Sequence, residues 1–75
     1  MVVSFCAAVR AELGPIEGEV LGVGPIVAAI RAGAWLERET PEAVVLLGTC
    51  GAYPAGPPVG AVVASSLLGL GSAAV

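Results

Sequence analysis

The apolar run at residues 43–47, together with the turn that ends it, constrains the fold of this chain most strongly. Ala43-Val44-Val45-Leu46-Leu47 has the length and composition of a strand that is buried on both faces. Gly48-Thr49-Cys50-Gly51 follows at once and offers backbone N–H groups and one hydroxyl at the strand end. Open α/β sheets bind ligands in the crevice beyond the carboxyl ends of their strands. This turn is therefore the first candidate binding site.

Strand and helix patterns alternate along the chain. We predict strands at residues 2–6, 19–23 and 43–48, a short helix or turn at 7–13, a helix at 25–39 and a fourth strand at 59–68. Pro25 suits the first turn of a helix, and Thr40-Pro41 ends one. Alternating strands and helices are typical of parallel strands joined by crossovers, so the sequence predicts an α/β fold.

The predicted helix at 25–39 has two distinct sides. The first side consists of Ile26, Ala29, Ile30, Gly33 and Ala34. The second side, continued beyond the helix end, carries Arg31, Trp35, Arg38 and Glu42 at helical spacings. We expect Trp35 to pack against a neighbouring element, with cover by arginine side chains or a subunit contact as the alternatives.

The composition is too apolar for one small independent globule. Of the 75 residues, 57% are hydrophobic and only 12% are charged, and a chain of this length buries a limited share of its surface. Other protein, lipid or further polypeptide must cover the remainder. We favour the last explanation, in which residues 1–75 form a single partial domain.

The polar residues exclude several classes of function. The chain has no His, Asp, Asn, Gln or Lys, so it cannot assemble a Ser-His-Asp or Cys-His catalytic group, and we expect no metal site. A net charge of −3 without a basic cluster argues against nucleic acid as a partner. Cys6 and Cys50 are far apart and favour free thiols in a reducing, cytoplasmic compartment.

Neither a nucleotide cofactor nor a membrane is the expected partner. Gly22-Val23-Gly24 occupies the position of a dinucleotide fingerprint, but the next strand ends without the carboxylate that binds ribose. A tight turn with close helix packing explains these glycines better. Residues 59–75 are near the lower length limit of a membrane span, contain glycines and serines, and lack flanking arginine. A small membrane peptide is the minor alternative.

Four motifs, in order along the chain, carry a family resemblance. They are Gly22-Val23-Gly24 with Ala28-Ala29, Pro41-Glu42-Ala43-Val44, Gly48-Thr49-Cys50-Gly51-Ala52 and Val59-Gly60-Ala61-Val62-Val63. They resemble the turn and helix, the strand start, the sugar-binding turn and the following strand of the nucleoside phosphorylase and nucleosidase superfamily. The resemblance implies the amino-terminal portion of a three-layer α/β/α fold with a mostly parallel or mixed sheet. It also implies a homo-oligomer that acts on a small-molecule nucleoside without a cofactor.

Two positions favour hydrolysis over phosphorolysis within this resemblance. Phosphorylases carry a phosphate-binding arginine where this chain has Leu46, and Ala7-Ala8-Val9 replaces their glycine-rich phosphate loop. Nucleosidases place a water-activating glutamate at the position that aligns with Glu12. The implied substrate is a purine nucleoside such as futalosine, methylthioadenosine or S-adenosylhomocysteine.

The resemblance implies a role for each candidate site residue. Glu12 is the catalytic residue, and Thr49, Cys50 and Gly51 bind the sugar. The ribose-binding Met-Glu pair and the aspartate that protonates the base are implied to come from sequence outside residues 1–75. A phosphorylase and an inactive fragment or interaction module are the alternatives. From its position alone, Glu12 is either a base beside bound substrate or a solvated helix glutamate.

Overall fold

The computed structural model describes residues 1–65, 69–70 and 73–74. Its elements are the strands β1 (Val3–Ala7), β2 (Glu19–Val20) and β3 (Ala43–Leu47), the helices α1 (Arg10–Leu13) and α2 (Pro25–Glu39), and the short strands β4 (Gly69–Leu70) and β5 (Ala73–Ala74). The first three strands form one sheet, and β4 pairs with β5 in a separate antiparallel pair.

The three-stranded sheet has the order β2-β1-β3, and both of its pairings are parallel. The central strand β1 pairs with β3 from Val3 opposite Ala43 to Ala7 opposite Leu47. Its pairing with β2 is shorter, but the N–H of Leu21 continues it by donating to the carbonyl of Ala7 at 2.8 Å. The predicted α/β arrangement is confirmed for this part of the chain. All three strands point their carboxyl ends to the same edge.

Local signals set the bounds of α2 and β2. The helix begins at Pro25 and ends at Glu39, as predicted, and Thr40 then adopts a left-handed conformation with φ of 44°. The N–H of Thr40 donates to the carbonyl of Leu36 at 2.8 Å, which closes the last turn. Strand β2 is shorter than the predicted range 19–23, because the chain turns at Gly22 with φ of 90°.

The predicted fourth strand at 59–68 is wrong for residues 59–65, which form no strand. Residues 66–68 lie outside the described part of the chain. Two consecutive prolines precede this segment and lack the N–H donors of a sheet ladder. The N–H of Ala61 instead donates to the carbonyl of Pro58 at 3.1 Å, and Gly60 has φ of 93°. A turn therefore replaces the start of the strand.

The core lies between the sheet and α2. Trp35 is only 5% exposed and packs with Cys6 and Leu21, and Ala28 and Ala32 contact the same cluster. The expected packing of Trp35 against a neighbouring element is confirmed. The small side chains of Ala28 and Ala32 let α2 approach the sheet, and the indole of Trp35 fills the space between the helix and the sheet.

The apolar side of α2 that carries the isoleucines faces away from this core. Ile26 is 74% exposed and Ile30 is 68% exposed. One indole buries more apolar area than either isoleucine, so the Trp35 side of the helix is the one that packs on the sheet. Helix α2 therefore has a second apolar side that none of the described residues covers.

The two helices of the described residues differ greatly in length. Helix α1 has four residues and α2 has 15, several of them charged. Neither of them combines the length and the apolar character that a membrane crossing requires.

Candidate functional site

Helix α1 brings Glu12 to the carboxyl edge of the sheet. It follows β1 after two residues, and its Leu13 is 1% exposed, which anchors the helix in the interior. The guanidinium of Arg10 reaches the carbonyls of Gly14 and Ile16 at 3.5 and 3.4 Å, across the loop that leaves the helix. These contacts hold α1 against the sheet, with Glu12 half-buried on the side of β3.

The carboxylate of Glu12 binds Thr49 with two hydrogen bonds. The backbone N–H of Thr49 donates to Oε2 of Glu12 at 3.0 Å, and the Thr49 hydroxyl lies 3.3 Å from the same oxygen. Among the described residues, no hydrogen bond reaches the other carboxylate oxygen, Oε1. The structure thus brings together the residue predicted to activate water and the hydroxyl predicted to bind the sugar.

Gly48 makes room for this contact. It joins the end of β3 to Thr49, and a Cβ atom at this position would lie 3.4 Å from Oε2 of Glu12. A methyl group there would make an ordinary contact with the carboxylate. Gly48 therefore lies directly beside Glu12.

Among the described residues, Glu12 is the one glutamate that accepts hydrogen bonds from the turn after β3. All six glutamates lie in the described part of the chain, and the other five are Glu17, Glu19, Glu37, Glu39 and Glu42. Glu42 directly precedes β3 and lies at the opposite edge of the sheet, whereas Glu19 pairs with Cys6, one residue before the end of β1. Arg38, near the end of α2, pairs with Glu19 at 3.2 Å and with Glu39 at 3.3 Å. Glu17, Glu37, Glu39 and Glu42 are exposed, and Glu19 is half-buried.

A cavity of about 490 Å³ adjoins the turn after β3. One wall is the segment 46–50, and the facing wall is the segment 57–63. Thr49 and Cys50 line the cavity, whereas Glu12 and Gly51 are not in its walls. The wall at 57–63 was missed at the level of sequence, because its apolar residues match a strand. The two prolines before Val59 were the signal for a loop instead.

The two cysteines occupy contrasting environments. Both are free thiols, as predicted; Cys6 is buried in the core and Cys50 is exposed. Burial raises the pKa of the Cys6 thiol. Cys50 thus belongs to the cavity wall, with its thiol accessible, and Cys6 has a packing role.

The glycine turn before α2 has a structural explanation. A Cβ atom on Gly22 would lie 2.8 Å from a methyl carbon of Val27, and both Gly22 and Gly24 have positive φ values. These contacts agree with the favoured explanation of Gly22 and Gly24, which is a tight turn with close helix packing.

Across residues 1–65, 69–70 and 73–74, no group of three potential metal ligands is present.

A second cavity, of about 330 Å³, lies between β1, the segment 17–19 and the end of α2. Its walls include Trp35 and Glu39, at a distance from the carboxyl edge. Neither Glu12 nor Thr49 lines this second cavity.

In comparisons with known proteins, no family, curated protein or solved structure matches this chain.

Proposed function

We propose that this chain supplies the water-activating edge of a nucleosidase that hydrolyses the N-glycosidic bond of a purine nucleoside. The observation that carries the proposal is the pair of hydrogen bonds from Thr49 to Oε2 of Glu12. They hold a carboxylate at the sheet edge where α/β proteins bind ligands. The motif resemblance assigns the same two residues to water activation and to sugar binding.

The geometry suits Glu12 to act as a general base. Thr49 holds one carboxylate oxygen, so Oε1 is the atom that would accept a proton from water. That water forms a C–O bond at the anomeric carbon, and the C1′–N9 bond breaks with its electron pair moving to the purine. A carboxylic acid from outside residues 1–75 protonates N7 of the leaving base. A positioned base of this type contributes about 10²- to 10⁴-fold to the rate.

The sugar would lie in the cavity beside Thr49 and Cys50. The Thr49 hydroxyl and the N–H groups of Cys50 and Gly51 are the donors and acceptors at this turn. As the sugar acquires oxocarbenium character, the negative charge of Glu12 stabilises it electrostatically. When the sugar binds, the Thr49 hydroxyl exchanges its hydrogen bond to Glu12 for one to a sugar hydroxyl, and the Thr49 N–H keeps its bond to Glu12.

The uncharged walls of the cavity favour water over phosphate as the nucleophile. The lining residues are Leu46, Leu47, Gly48, Thr49, Cys50, Pro57, Pro58, Val59, Gly60, Ala61, Val62 and Val63. None of the three arginines lines it: Arg10 faces the loop after α1, and Arg31 and Arg38 belong to α2. A phosphate dianion needs positive charge nearby, whereas water needs only a base.

The proposed domain is larger than the described three-stranded sheet. We infer that β1, β2 and β3, with α2 on one face, form part of a three-layer α/β/α domain. Val45 of β3 is 37% exposed, and its neighbour Leu46 is 63% exposed, so both faces of this strand have apolar surface for further elements to cover. Such elements would also supply the acid that protonates the base.

The test measures release of free purine from methylthioadenosine, S-adenosylhomocysteine and futalosine by the complete protein, with and without phosphate. Base release that is independent of phosphate, with a free sugar as the second product, supports hydrolysis. Formation of a sugar 1-phosphate would establish phosphorolysis instead. Absence of both reactions, together with no binding of any of the three nucleosides, would favour a role as an interaction module.

A further inference from the structure

One side of the central strand β1 is only partly paired. Strand β3 pairs with all five residues of β1, whereas β2 begins at Glu19, opposite Cys6, and pairs with only the last two. Residues 3–5 therefore have no described strand on the side that β2 occupies farther along. An unpaired strand edge is a template for a further strand, because its N–H and C=O groups have no partners in the sheet.

The hydrogen bonds of the sheet identify the main-chain groups on this open side. The carbonyl of Ala7 faces β2, since it accepts a hydrogen bond from the N–H of Leu21. Main-chain groups alternate between the two sides along a strand, so those of Val3 and Phe5 face the same side as Ala7. The chain at Gly18 covers the Phe5 carbonyl, since a Cβ atom on Gly18 would lie 2.5 Å from that oxygen. The N–H and C=O of Val3 and the N–H of Phe5 are thus the groups open to a further strand.

The open stretch of β1 forms one wall of the second cavity. Val3, Ser4 and Phe5 line that wall, and the cavity has a volume of about 330 Å³. Three strand residues extend over about 7 Å from the first Cα to the last. The cavity therefore lies directly beside the open edge and has room for a short extended segment.

The remaining walls of this cavity are acidic. Glu17, Glu19 and Glu39 line it, and Arg38 pairs with Glu19 at 3.2 Å and with Glu39 at 3.3 Å. One guanidinium among three carboxylates leaves two negative charges without compensation. A strand that carries lysine or arginine would compensate this charge, whereas an acidic strand would be repelled.

We propose that residues 3–5 bind an extended basic peptide of a partner protein as an additional strand. Main-chain hydrogen bonds to Val3 and Phe5 supply the affinity, and the carboxylates of the cavity select a lysine or arginine side chain. This site is separate from the cavity beside Thr49. The proposal therefore does not depend on the proposed hydrolysis.

Fluorescence anisotropy with the complete protein and a labelled peptide tests the proposal. The probe is a fluorescein-labelled pentapeptide of alternating valine and arginine, which should bind at micromolar concentrations. The same peptide with glutamate in place of arginine should not bind. Methylation of the main-chain nitrogens of the basic peptide keeps its charge but removes its donors. We expect this methylation to weaken binding at least about tenfold, because hydrogen bonds to the strand edge are lost.

A pair of charge-reversal variants tests the position of the site on the protein. Glu39 and Glu37 are both exposed residues of α2, but only Glu39 lines the cavity. Glu39→Lys should weaken binding of the basic peptide at least about tenfold. Glu37→Lys changes the net charge equally and should alter the affinity less than about twofold. Hydrogen exchange of the Phe5 amide should slow when the peptide binds.

Four results would each overturn the proposal. They are no binding at peptide concentrations up to about 200 μM, equal binding of the acidic or the methylated peptide, equal losses in the two glutamate variants, and unchanged hydrogen exchange at Phe5. A further segment of the complete protein that already pairs with this edge would produce the first of these results. Base release is measured separately, so this proposal and the proposed function can fail independently.

Discussion

Glu12 and Thr49 are 37 positions apart in the sequence, yet one carboxylate oxygen of Glu12 binds both the N–H and the hydroxyl of Thr49. The parallel pairing of β1 with β3 causes this proximity, because it aligns Ala7 with Leu47 and so brings the segments after both strands to one edge. Leu13 anchors the first segment, and Gly48 leaves space in the second. The contact therefore depends on the sheet register and on very few side chains.

Replacing Thr49 by valine removes the hydroxyl bond to Glu12 and keeps the side-chain shape. The N–H bond at 3.0 Å persists, so the chain should remain folded. We expect kcat/KM for base release to fall about threefold to tenfold, as the loss of one hydrogen bond implies. Thr49→Ser retains the hydroxyl and should keep activity close to that of the unmodified protein. Equal activity of the valine and serine variants would show that the hydroxyl has no part in the reaction.

Substitutions of Gly48 by larger residues should displace the Glu12 carboxylate by increasing amounts. An alanine Cβ would lie 3.4 Å from Oε2 of Glu12, an ordinary contact, so Gly48→Ala should change the free energy of unfolding by less than about 1 kcal/mol. Gly48→Val adds γ-carbons that displace the carboxylate from Thr49. We expect the valine variant to lose base release and the alanine variant to retain it. Steady-state kinetics of the two folded variants make the comparison, and undiminished activity of Gly48→Val contradicts the assigned geometry.

Trp35 should determine most of the stability of the described core. Trp35→Ala leaves a cavity between α2 and the sheet and should lower the free energy of unfolding by about 3–5 kcal/mol, a large share of the total for a small domain. Leu36→Ala changes the neighbouring residue, which is 41% exposed, and should cost far less. Urea denaturation followed by circular dichroism measures both. Similar midpoints for the two variants would mean that the indole is not the centre of the core.

The fold was predictable where local chemistry and tertiary packing agree. Gly24-Pro25 and Thr40-Pro41 mark the ends of α2, and the structure has the helix between them. The alternation of strands and helices likewise predicts the parallel sheet, since crossovers of this length join parallel neighbours. The shared edge of Glu12 and Thr49 follows from that sheet alone.

Other features depend on packing that a sequence pattern does not specify. The apolar residues at 59–63 match a strand in composition, but Pro57 and Pro58 before them lack N–H donors and a turn forms instead. The sequence shows two sides of α2 that carry apolar residues, and the sheet takes the one with Trp35 because the indole fills the gap more completely. The two bonds to a single oxygen of Glu12 depend on side-chain rotamers, which no spacing rule predicts.

Stability should decrease at high pH through Cys6. Burial raises the pKa of this thiol in the folded state, so folding favours its protonated form. The resulting contribution to the free energy of unfolding is complete below the pKa of the unfolded thiol, about 8.5, and is lost as the pH rises through the folded-state pKa. Urea denaturation at pH 7.5 and pH 10 measures the loss. Cys6→Ala should show a smaller decrease than the unmodified protein between these pH values, and an identical decrease would remove Cys6 as its cause.

A comparison of Glu12→Gln with Glu17→Gln in the complete protein tests whether Glu12 acts as the base. Glutamine keeps the size of Glu12 and its bonds to Thr49 but cannot accept a proton from water, whereas Glu17 is an exposed glutamate away from the carboxyl edge. We expect Glu12→Gln still to bind the nucleoside but its kcat for base release to fall at least about 100-fold, and we expect Glu17→Gln to be unaffected. Normal turnover by folded Glu12→Gln would rule out Glu12 as the residue that activates water.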